Sequence, residues 1–300
     1  MIRVDFGNCA LRLDQGGDCD AIARGRLMGS TKSLGNAVVV GDRVMVEVDT
    51  GRALIIGVAP RRNAFSRRAS GKHAEEQVVA ANLDQVVLVC SIERPEFRPG
   101  LADRVLGQAE LAGLPARLVV NKDDLDAAGR IDGILDDYGR AGYPGHRVCA
   151  KSGKGIEALL EACLGRRSLF VGHSGVGKST LLNVLAPGLD LEAGGVNVKT
   201  GKGRHTTTAA WLRFPRPGLE LIDTPGVRTF GLWGVGAGDL ERAYAEFRPH
   251  LGACRFSDCR HDREPGCALR AAVLAGAIAE RRFASFLHLR EELQNERGFE

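Results

Sequence analysis

Hydrophobic and polar residues alternate in short runs over the first part of the chain, and glycine and aspartate residues separate these runs. Short strands spaced in this way over roughly 60 residues are typical of a small closed β-barrel of the OB type. Such barrels often bind oligonucleotides, although a fold alone does not establish a function. The strands are expected over 2–6, 9–13, 19–23, 37–40, 43–48 and 53–58.

Residues 61–76 are polar, basic and without periodicity, and we interpret them as a linker. After the linker, longer apolar runs alternate with stretches of helical periodicity, which predicts an α/β domain built on a mostly parallel sheet. Strands are expected over 85–92, 116–120, 147–150, 168–171 and 219–222, and helices over 100–113 and 156–164.

Beyond residue 238 the chain looks helical, apart from a cysteine-rich turn region over 254–267. The pattern therefore predicts three domains. They are an OB-type barrel over 1–66, a central α/β domain over 67–237 and a C-terminal helical module over 238–300.

The composition is that of an ordinary globular protein, with 44% hydrophobic and 26% charged residues. The chain has no apolar run of the ~20 residues that a membrane helix needs. Its first residues carry acids and lack the apolar core of a secretory signal. We therefore expect a cytoplasmic protein without membrane contact.

The net charge of +4 hides an uneven distribution of charge along the chain. Residues 1–72 contain 12 Lys and Arg against 7 Asp and Glu. The surplus is densest at Arg61, Arg62, Arg67, Arg68 and Lys72. Positive charge attracts phosphate backbones, so this segment is a candidate for RNA binding, with an ordinary solvated loop as the alternative.

The expected strand over 168–171 leads directly into GHSGVGKST, and an apolar helical stretch follows. This is the phosphate-binding loop G-x-x-x-x-G-K-[ST] in the strand–loop–helix setting that the motif requires. Lys178 is expected to reach the β- and γ-phosphates, and Ser179 to ligate Mg²⁺. The candidate nucleotide-binding residues are Gly172, His173, Ser174, Gly175, Val176, Gly177, Lys178, Ser179 and Thr180.

Residues 121–124 read Asn-Lys-Asp-Asp directly after an apolar run, and they match the base-reading pattern N-K-x-D. Guanine offers both N1–H and its 2-amino group to one carboxylate, and Asp124 can accept both. Adenine offers no such pair and would leave the buried charge unpaired. Asn121 would brace the loop and the base, and the stem of Lys122 would cover a ring face. The predicted ligands are GTP and GDP.

Cys149, Ala150 and Lys151 close an expected strand before a glycine-containing turn. They resemble the S-A-K motif, in which a backbone N–H meets the O6 atom of guanine. Serine is usual where Cys149 stands. Because the contact comes from the backbone, this departure weakens the motif more than the chemistry.

The D-x-x-G pattern follows the expected strand over 219–222 and begins at Asp223. Asp223 would hold Mg²⁺ through water, and the N–H of Gly226 would sense the γ-phosphate. Upstream, the glycine-rich polar segment 200–208 is typical of a mobile loop. One of its threonines should complete the Mg²⁺ shell. We favour Thr207, with Thr206 and Thr208 as alternatives.

Val227 stands where Ras-like enzymes have the glutamine that orients the attacking water. Valine has no hydrogen-bonding side chain, so another residue must supply this function. His205 is the best local candidate, because an imidazole can accept a proton from water. The alternatives for His205 are contact with RNA or capping of the loop. Turnover should be slow until a partner orders these loops.

The order of the motifs differs from that of an ordinary GTPase, since the segments at 121–124 and 149–151 precede the phosphate-binding loop. Joining the old termini and cutting elsewhere preserves the packing of a domain, so the site itself can be unchanged. In this circularly permuted order, the D-x-x-G switch feeds directly into the C-terminal module.

Cysteine and histidine residues crowd together in the C-terminal module with the spacing C-x₄-C-x-H-x₅-C. Three thiolates and one imidazole suit a single tetrahedral Zn²⁺ with no open position for catalysis, which predicts a structural site. A [4Fe–4S] cluster fits a histidine ligand less well. The expected ligands are Cys254, Cys259, His261 and Cys267.

Together these segments resemble the ribosome small-subunit-dependent GTPases, the RsgA/YjeQ family. The resemblance includes VVVGDRV (38–44), RRNAFSRR (61–68), GRHTTT (203–208), DTPGVRTFGLW (223–233) and the Cys/His spacing. It implies GTP hydrolysis stimulated by the small (30S) ribosomal subunit and its rRNA, a role in late assembly of that subunit, coupled release, a cytoplasmic location and bound zinc. We expect a monomer. The alternatives are an RNA-binding module that holds GTP only as a structural ligand, and a permuted GTPase acting on the large subunit.

Overall fold

The computed structural model describes residues 1–5, 8–23, 27, 36–49, 52–69, 75–189, 191 and 210–297. The strands are β1 (Arg3–Asp5), β2 (Asn8–Arg12), β3 (Asp18–Ala23), β4 (Val44–Asp49), β5 (Arg52–Val58), β6 (Ala64–Arg68), β7 (Glu76–Ala81), β8 (Gln85–Ser91), β9 (Ala116–Asn121), β10 (Gly145–Arg147), β11 (Arg166–Gly172), β12 (Trp211–Arg216) and β13 (Leu219–Asp223). The α-helices are α1 (Pro99–Leu111), α2 (Arg130–Arg140), α3 (Ile156–Cys163), α4 (Lys178–Leu185), α5 (Ala268–Leu274) and α6 (Glu280–Arg297). Short 3-10 helices lie at Asp123–Leu125, Leu240–Ala243 and Ala245–His250.

The expected parallel sheet is confirmed. Strands β10, β9, β8, β11 and β13 lie side by side, and each neighbouring pair is parallel. Every residue of β8 is buried, as expected for a strand covered on both faces. Helices α1 and α2 pack on one face, and α3 and α4 on the other. Among the described helices, none is long and apolar enough to cross a membrane.

The N-terminal strands extend this same sheet. Within the described ranges it has 11 strands, because β1 pairs with β12 through Arg3 and Trp211, and β2, β3, β5 and β4 follow in that order. These strands enclose their own core, which includes Cys9, Leu11 and Ile55. Stacking strengthens the junction, since the guanidinium groups of Arg3 and Arg213 lie 4.6 and 3.8 Å from the Trp211 ring centre.

Two local expectations are wrong. The strand expected over 37–40 is a turn that is buried from Val38 onward, because the Asp42 carboxylate accepts a 2.8 Å hydrogen bond from the Val39 N–H and Gly41 has a φ of 91°. The strand expected over 147–150 lies instead at Gly145–Arg147. The chain then leaves the sheet, and the Cys149 N–H donates to the Lys154 carbonyl across a tight turn.

The interpretation of 61–76 as a linker is also wrong. Strand β6 lies within this part of the chain and forms an antiparallel ribbon with β7, which begins at its last residue, Glu76. Its polar residues pair across the strands, since the Ser66 hydroxyl donates to Glu76 at 2.6 Å and Arg67 Nε donates to Gln77 at 2.9 Å. Phe65 is fully buried, and its ring centre lies 5.7 Å from that of Phe230. The ribbon could not be predicted from its polar sequence, because the sequence of one strand does not show which residues it pairs with across the ribbon.

Helix α1 anchors the C-terminal module to the α/β domain through a buried ion-pair network. Arg282 of α6 is 1% exposed, and it binds Asp103 of α1 at 2.6 Å and Glu246 at 2.7 Å. The Tyr138 hydroxyl also donates to Asp103, at 2.7 Å. Nearby, the backbone N–H of Trp233 donates to the Gln108 side chain at 2.8 Å. The module is thus fixed by directional contacts as well as by its apolar core.

We predict that Arg282→Met lowers the free energy of unfolding by about 3–5 kcal/mol, because it leaves the carboxylates of Asp103 and Glu246 buried and without their cation. Urea denaturation followed by fluorescence measures the change. Arg263→Met serves as the control, since Arg263 is 92% exposed and should shift stability by no more than about 0.5 kcal/mol. Equal stability of the two variants would show that the network does not hold the module.

Candidate functional site

The phosphate-binding loop is shaped by its glycines. Strand β11 ends at Gly172, and α4 begins at Lys178. Gly175 and Gly177 both have a φ of 88°, which side chains disfavour. A Cβ atom on Gly177 would lie 2.6 Å from the amide nitrogen of Asn121. The loop therefore directs backbone N–H groups and the positive end of α4 to one place, the arrangement that binds phosphate.

Asn121 brings the base-reading segments and the phosphate-binding loop together. Its side-chain N–H₂ donates to the Val176 carbonyl at 3.0 Å, and its side-chain oxygen accepts a 3.0 Å bond from the Ala150 N–H. The predicted bracing role is therefore matched by contacts in both directions. A base bound at Ala150 would compete for that N–H.

Lys122 adds a second link between the same loops. Its ammonium group donates to the Gly175 carbonyl at 2.8 Å and to the Arg94 carbonyl. Burial lowers the pKa of Lys122, and the negative charge of Asp124 partly offsets this shift. The stem of Lys122 thus crosses from the base-reading loop to the phosphate-binding loop.

The predicted base-reading carboxylate is accessible to a ligand. Asp124 is exposed, and the thiol of Cys149 donates to its Oδ1 atom at 3.2 Å. The thiol occupies the position where the resemblance places a serine, and it makes the kind of contact that a hydroxyl can make. Lys151 is exposed beside these residues.

The D-x-x-G segment lies against the phosphate-binding loop. Lys178 and Asp223 form an ion pair in which the side chains are 6% and 2% exposed. A Cβ atom on Gly226 would lie 2.9 Å from the Ser174 Cα, and the Val227 N–H donates to the Gly172 carbonyl at 3.0 Å. Lys178, Asp223 and Gly226 therefore lie close together at the phosphate-binding loop. Ser179 is half-buried beside Lys178, and Thr180 is exposed on α4.

One contact in the loop was not foreseen from the sequence. His173 Nδ1 lies 2.7 Å from the Ser174 carbonyl oxygen, and its Nε2 lies 3.3 Å from a guanidinium nitrogen of Arg98. Arg98 directly precedes α1 and is 75 positions from His173. No local pattern could have joined the two. The expected residues His205, Thr206, Thr207 and Thr208 lie outside the described residues.

The Cys/His cluster of the C-terminal module is assembled as the spacing predicted. The ligand atoms of the four expected residues all lie within 4.8 Å of one another. His261 Nδ1 is 3.5 Å from the Cys254 sulfur and 3.4 Å from the Cys267 sulfur. Soft thiolates with one imidazole are suitable donors for a tetrahedral metal ion, so these residues can hold one.

The surroundings of the cluster also suit a metal site. Glu241 lies 3.3 Å from the other ring nitrogen of His261, and the Ala268 N–H donates to the Cys254 sulfur at 3.3 Å. A carboxylate on the distal imidazole nitrogen orients a metal-binding histidine. The sequence carries no local signal for Glu241, because it lies 20 positions before His261 on a separate element.

Comparison with known proteins finds similarity to GTPases over most of the chain. A family model described as RsgA GTPase matches residues 58–233. A protein of Gemmatimonas aurantiaca named "Small ribosomal subunit biogenesis GTPase RsgA" is 44% identical over 287 residues, covering 93% of this chain and 92% of the relative. A protein of the same name from Azotobacter vinelandii is 46% identical over 259 residues, covering 84% and 74%.

Two solved structures share the fold over almost the whole chain. YjeQ from Thermotoga maritima is 31% identical with a TM-score of 0.76, covering 98% of this chain and 97% of that one. YloQ, described as a circularly permuted GTPase, has a TM-score of 0.68 at 21% identity and supports the fold alone, covering 98% and 94%.

We predict that Lys178→Ala lowers the rate of GTP hydrolysis by roughly 10²–10³-fold or more. The substitution removes a positive charge that would stabilise the negative charge developing on the phosphates in the transition state. It also leaves Asp223 buried without this cation, so the nucleotide-free protein should melt at a lower temperature. Phosphate release and thermal unfolding measure the two effects. Wild-type turnover in this variant would refute the assignment of the phosphate site. Arg263→Ala, at a side chain that is 92% exposed and outside the site, controls for the loss of charge alone.

Proposed function

This chain belongs to the RsgA GTPase family and is a GTP hydrolase, and from that premise we propose that it binds the small ribosomal subunit and acts in the late maturation of that subunit. The curated relatives bear a name that states this role. The observation that supports the proposal is the convergence of the permuted motifs on Asn121, whose side chain contacts both the Val176 carbonyl and the Ala150 N–H. Hydrolysis would time the departure of the protein from the subunit.

In the proposed site, the Asp124 carboxylate accepts hydrogen bonds from the guanine edge. Asn121 and Lys122 hold the base-reading loop against the phosphate-binding loop. The segment from Cys149 to Lys151 borders the base. Lys178 neutralises charge on the β- and γ-phosphates, supported by the N-terminal end of α4.

Mg²⁺ would be held by Ser179 and Thr207 and, through water, by Asp223. Gly226 would sense the γ-phosphate, and its contact with Ser174 supports this position. We propose His205 as the residue that activates the attacking water, since the Val227 side chain has no hydrogen-bonding group and packs against the apolar core.

We further propose that the cluster in the C-terminal module binds one Zn²⁺. Four protein ligands would fill a tetrahedral shell and leave no open position, so the ion would stabilise structure and take no part in hydrolysis. Binding of a structural zinc ion contributes folding free energy. The aromatic core beside it, with Phe286 6.1 Å from the His261 ring, would then pack on a fixed loop.

The N-terminal strands are proposed to form an OB-type barrel that binds rRNA with the basic residues around 61–68. The proposed domains are 1–66, 67–237 and 238–300, with the β6–β7 ribbon crossing the first boundary. Arg68 of this ribbon pairs through its backbone with Gly231, just after the D-x-x-G segment. RNA binding at the ribbon could therefore alter the switch directly. We propose a cytoplasmic monomer.

We predict that small ribosomal subunits raise the GTPase rate far above that of the free protein. Large subunits should not raise this rate, and ATP should not replace GTP as the substrate. His205→Ala should lose about 10²-fold or more of the stimulated single-turnover rate with little change in nucleotide affinity, since it would act on the transition state. His288→Ala, a change at an exposed histidine of α6, is the control.

Stimulation by large subunits would favour the alternative partner. Nucleotide binding without turnover under either condition would favour a module that holds GTP only as a structural ligand. A normal stimulated rate for His205→Ala would remove His205 from catalysis.

We predict about one zinc ion per chain in protein purified without added metal, and its loss in Cys259→Ser. The variant should make the C-terminal module sensitive to protease while the nucleotide-binding domain stays folded, because the metal site lies in a separate core. Cys19→Ser provides the matched control outside the cluster. A metal-free protein with a protease-resistant module would contradict the proposal.

A further inference from the structure

The variable position of the base-reading loop carries a charge that the proposed mechanism leaves unused. Asp123 lies between Lys122 and Asp124, and its side chain is only 7% exposed. A carboxylate in such a position needs cations or N–H donors, because removing it from water costs free energy.

Both cations that contact Asp123 belong to β10 and the turn that follows it, the segment proposed to border the guanine base. Arg147 ends β10, and Lys154 follows the Cys149–Lys151 turn; each forms an ion pair with Asp123. Burial raises the pKa of the Asp123 carboxyl, but hydrogen bonds from Lys154 and Arg147 outweigh it, and the net shift of the pKa is downward. The carboxylate therefore remains charged and bound to both groups at neutral pH.

Backbone contacts hold the same two loops in register. The Asp123 N–H donates to the Val148 carbonyl at 3.1 Å, and the Cys149 N–H donates to the Lys154 carbonyl at 3.0 Å. Arg147 reaches further and binds Asp132 of α2 at 2.9 Å. Asp123 is thus joined through charge to the base-flanking turn, and Arg147 extends this junction to α2.

The position of Asp124 depends on this junction. Asp124 is exposed, and its thiol partner Cys149 is a weak donor, so the side chain of Asp124 is not held firmly by its own contacts. The direction of the Asp124 side chain therefore depends on the backbone conformation that the contacts of Asp123 hold in place. Recognition by hydrogen bonds requires a placement within about 0.5 Å.

We propose that Asp123, held by Arg147 and Lys154, is a positioning residue that sets the selectivity of this chain for guanine. This inference rests on the proposed guanine site. Replacing Asp123 should weaken the recognition of the 2-amino group of guanine more than it weakens binding of the phosphates, which lie at the other end of the nucleotide.

Titration calorimetry of the full chain with GDP and with inosine diphosphate, which lacks the 2-amino group, tests the inference. Asp123→Asn should reduce the preference for GDP by about 5-fold, a modest factor because Lys154 is 60% exposed and solvent screens the pair. Asp136→Asn makes the same substitution at an exposed position of α2 and should keep the wild-type preference. Should Asp123→Asn fail to fold, Lys154→Met removes one partner from the surface and should lower the preference in the same direction.

Charge rescue separates positioning from general stability. Arg147→Lys retains a cation beside Asp123 and should keep more of the preference for GDP than Arg147→Met does. An unchanged preference in Asp123→Asn overturns the inference even if the protein melts earlier. A wild-type protein that binds both diphosphates equally would instead overturn the guanine site itself, and the inference with it.

Discussion

The two hydrogen bonds of the Asn121 side chain are the constraint on which the nucleotide site depends. They join segments at 121, 150 and 176, which are far apart in sequence and adjacent only because β9 and β11 end at the same edge of a parallel sheet. Carboxyl ends of parallel strands form the ligand crevice in α/β folds. The site therefore requires these strand ends to lie at one edge of the sheet, and it does not require any particular order along the chain. Circular permutation leaves this requirement satisfied.

Permutation changes what the switch is attached to. After Asp223 the chain contacts the phosphate-binding loop, the β6–β7 ribbon at Gly231 and the Gln108 side chain of α1 through Trp233. The segment 223–233 thus touches the nucleotide site, the basic ribbon and the helix that anchors the C-terminal module. These packed and hydrogen-bonded contacts connect the phosphate-binding loop to both outer parts of the molecule, and any coupling between them would need such a connection.

Charge is buried in this protein where separate elements must hold a fixed relation. Arg282 lies between Asp103 and Glu246 at the junction of α1 and the module, and Lys178 lies against Asp223 beneath the phosphate site. Each pair fixes direction as well as distance, which apolar contact alone does not do. The cost of removing these charges from water means that loss of one partner is felt by the other.

The sequence alone determined the parts of the protein whose signals are local. The parallel sheet followed from alternating apolar runs and helical periodicity, and the phosphate-binding loop and the Cys/His cluster followed from short-range spacing. Only the tertiary structure decided that 61–76 contains strand β6 and the start of β7, that 37–40 turns, and that Arg98, Glu241 and Arg147 meet the site residues. These contacts join polar residues on different elements. A polar side chain looks the same in a sequence whether it faces water or a partner many positions away, and only the packed fold brings the two together.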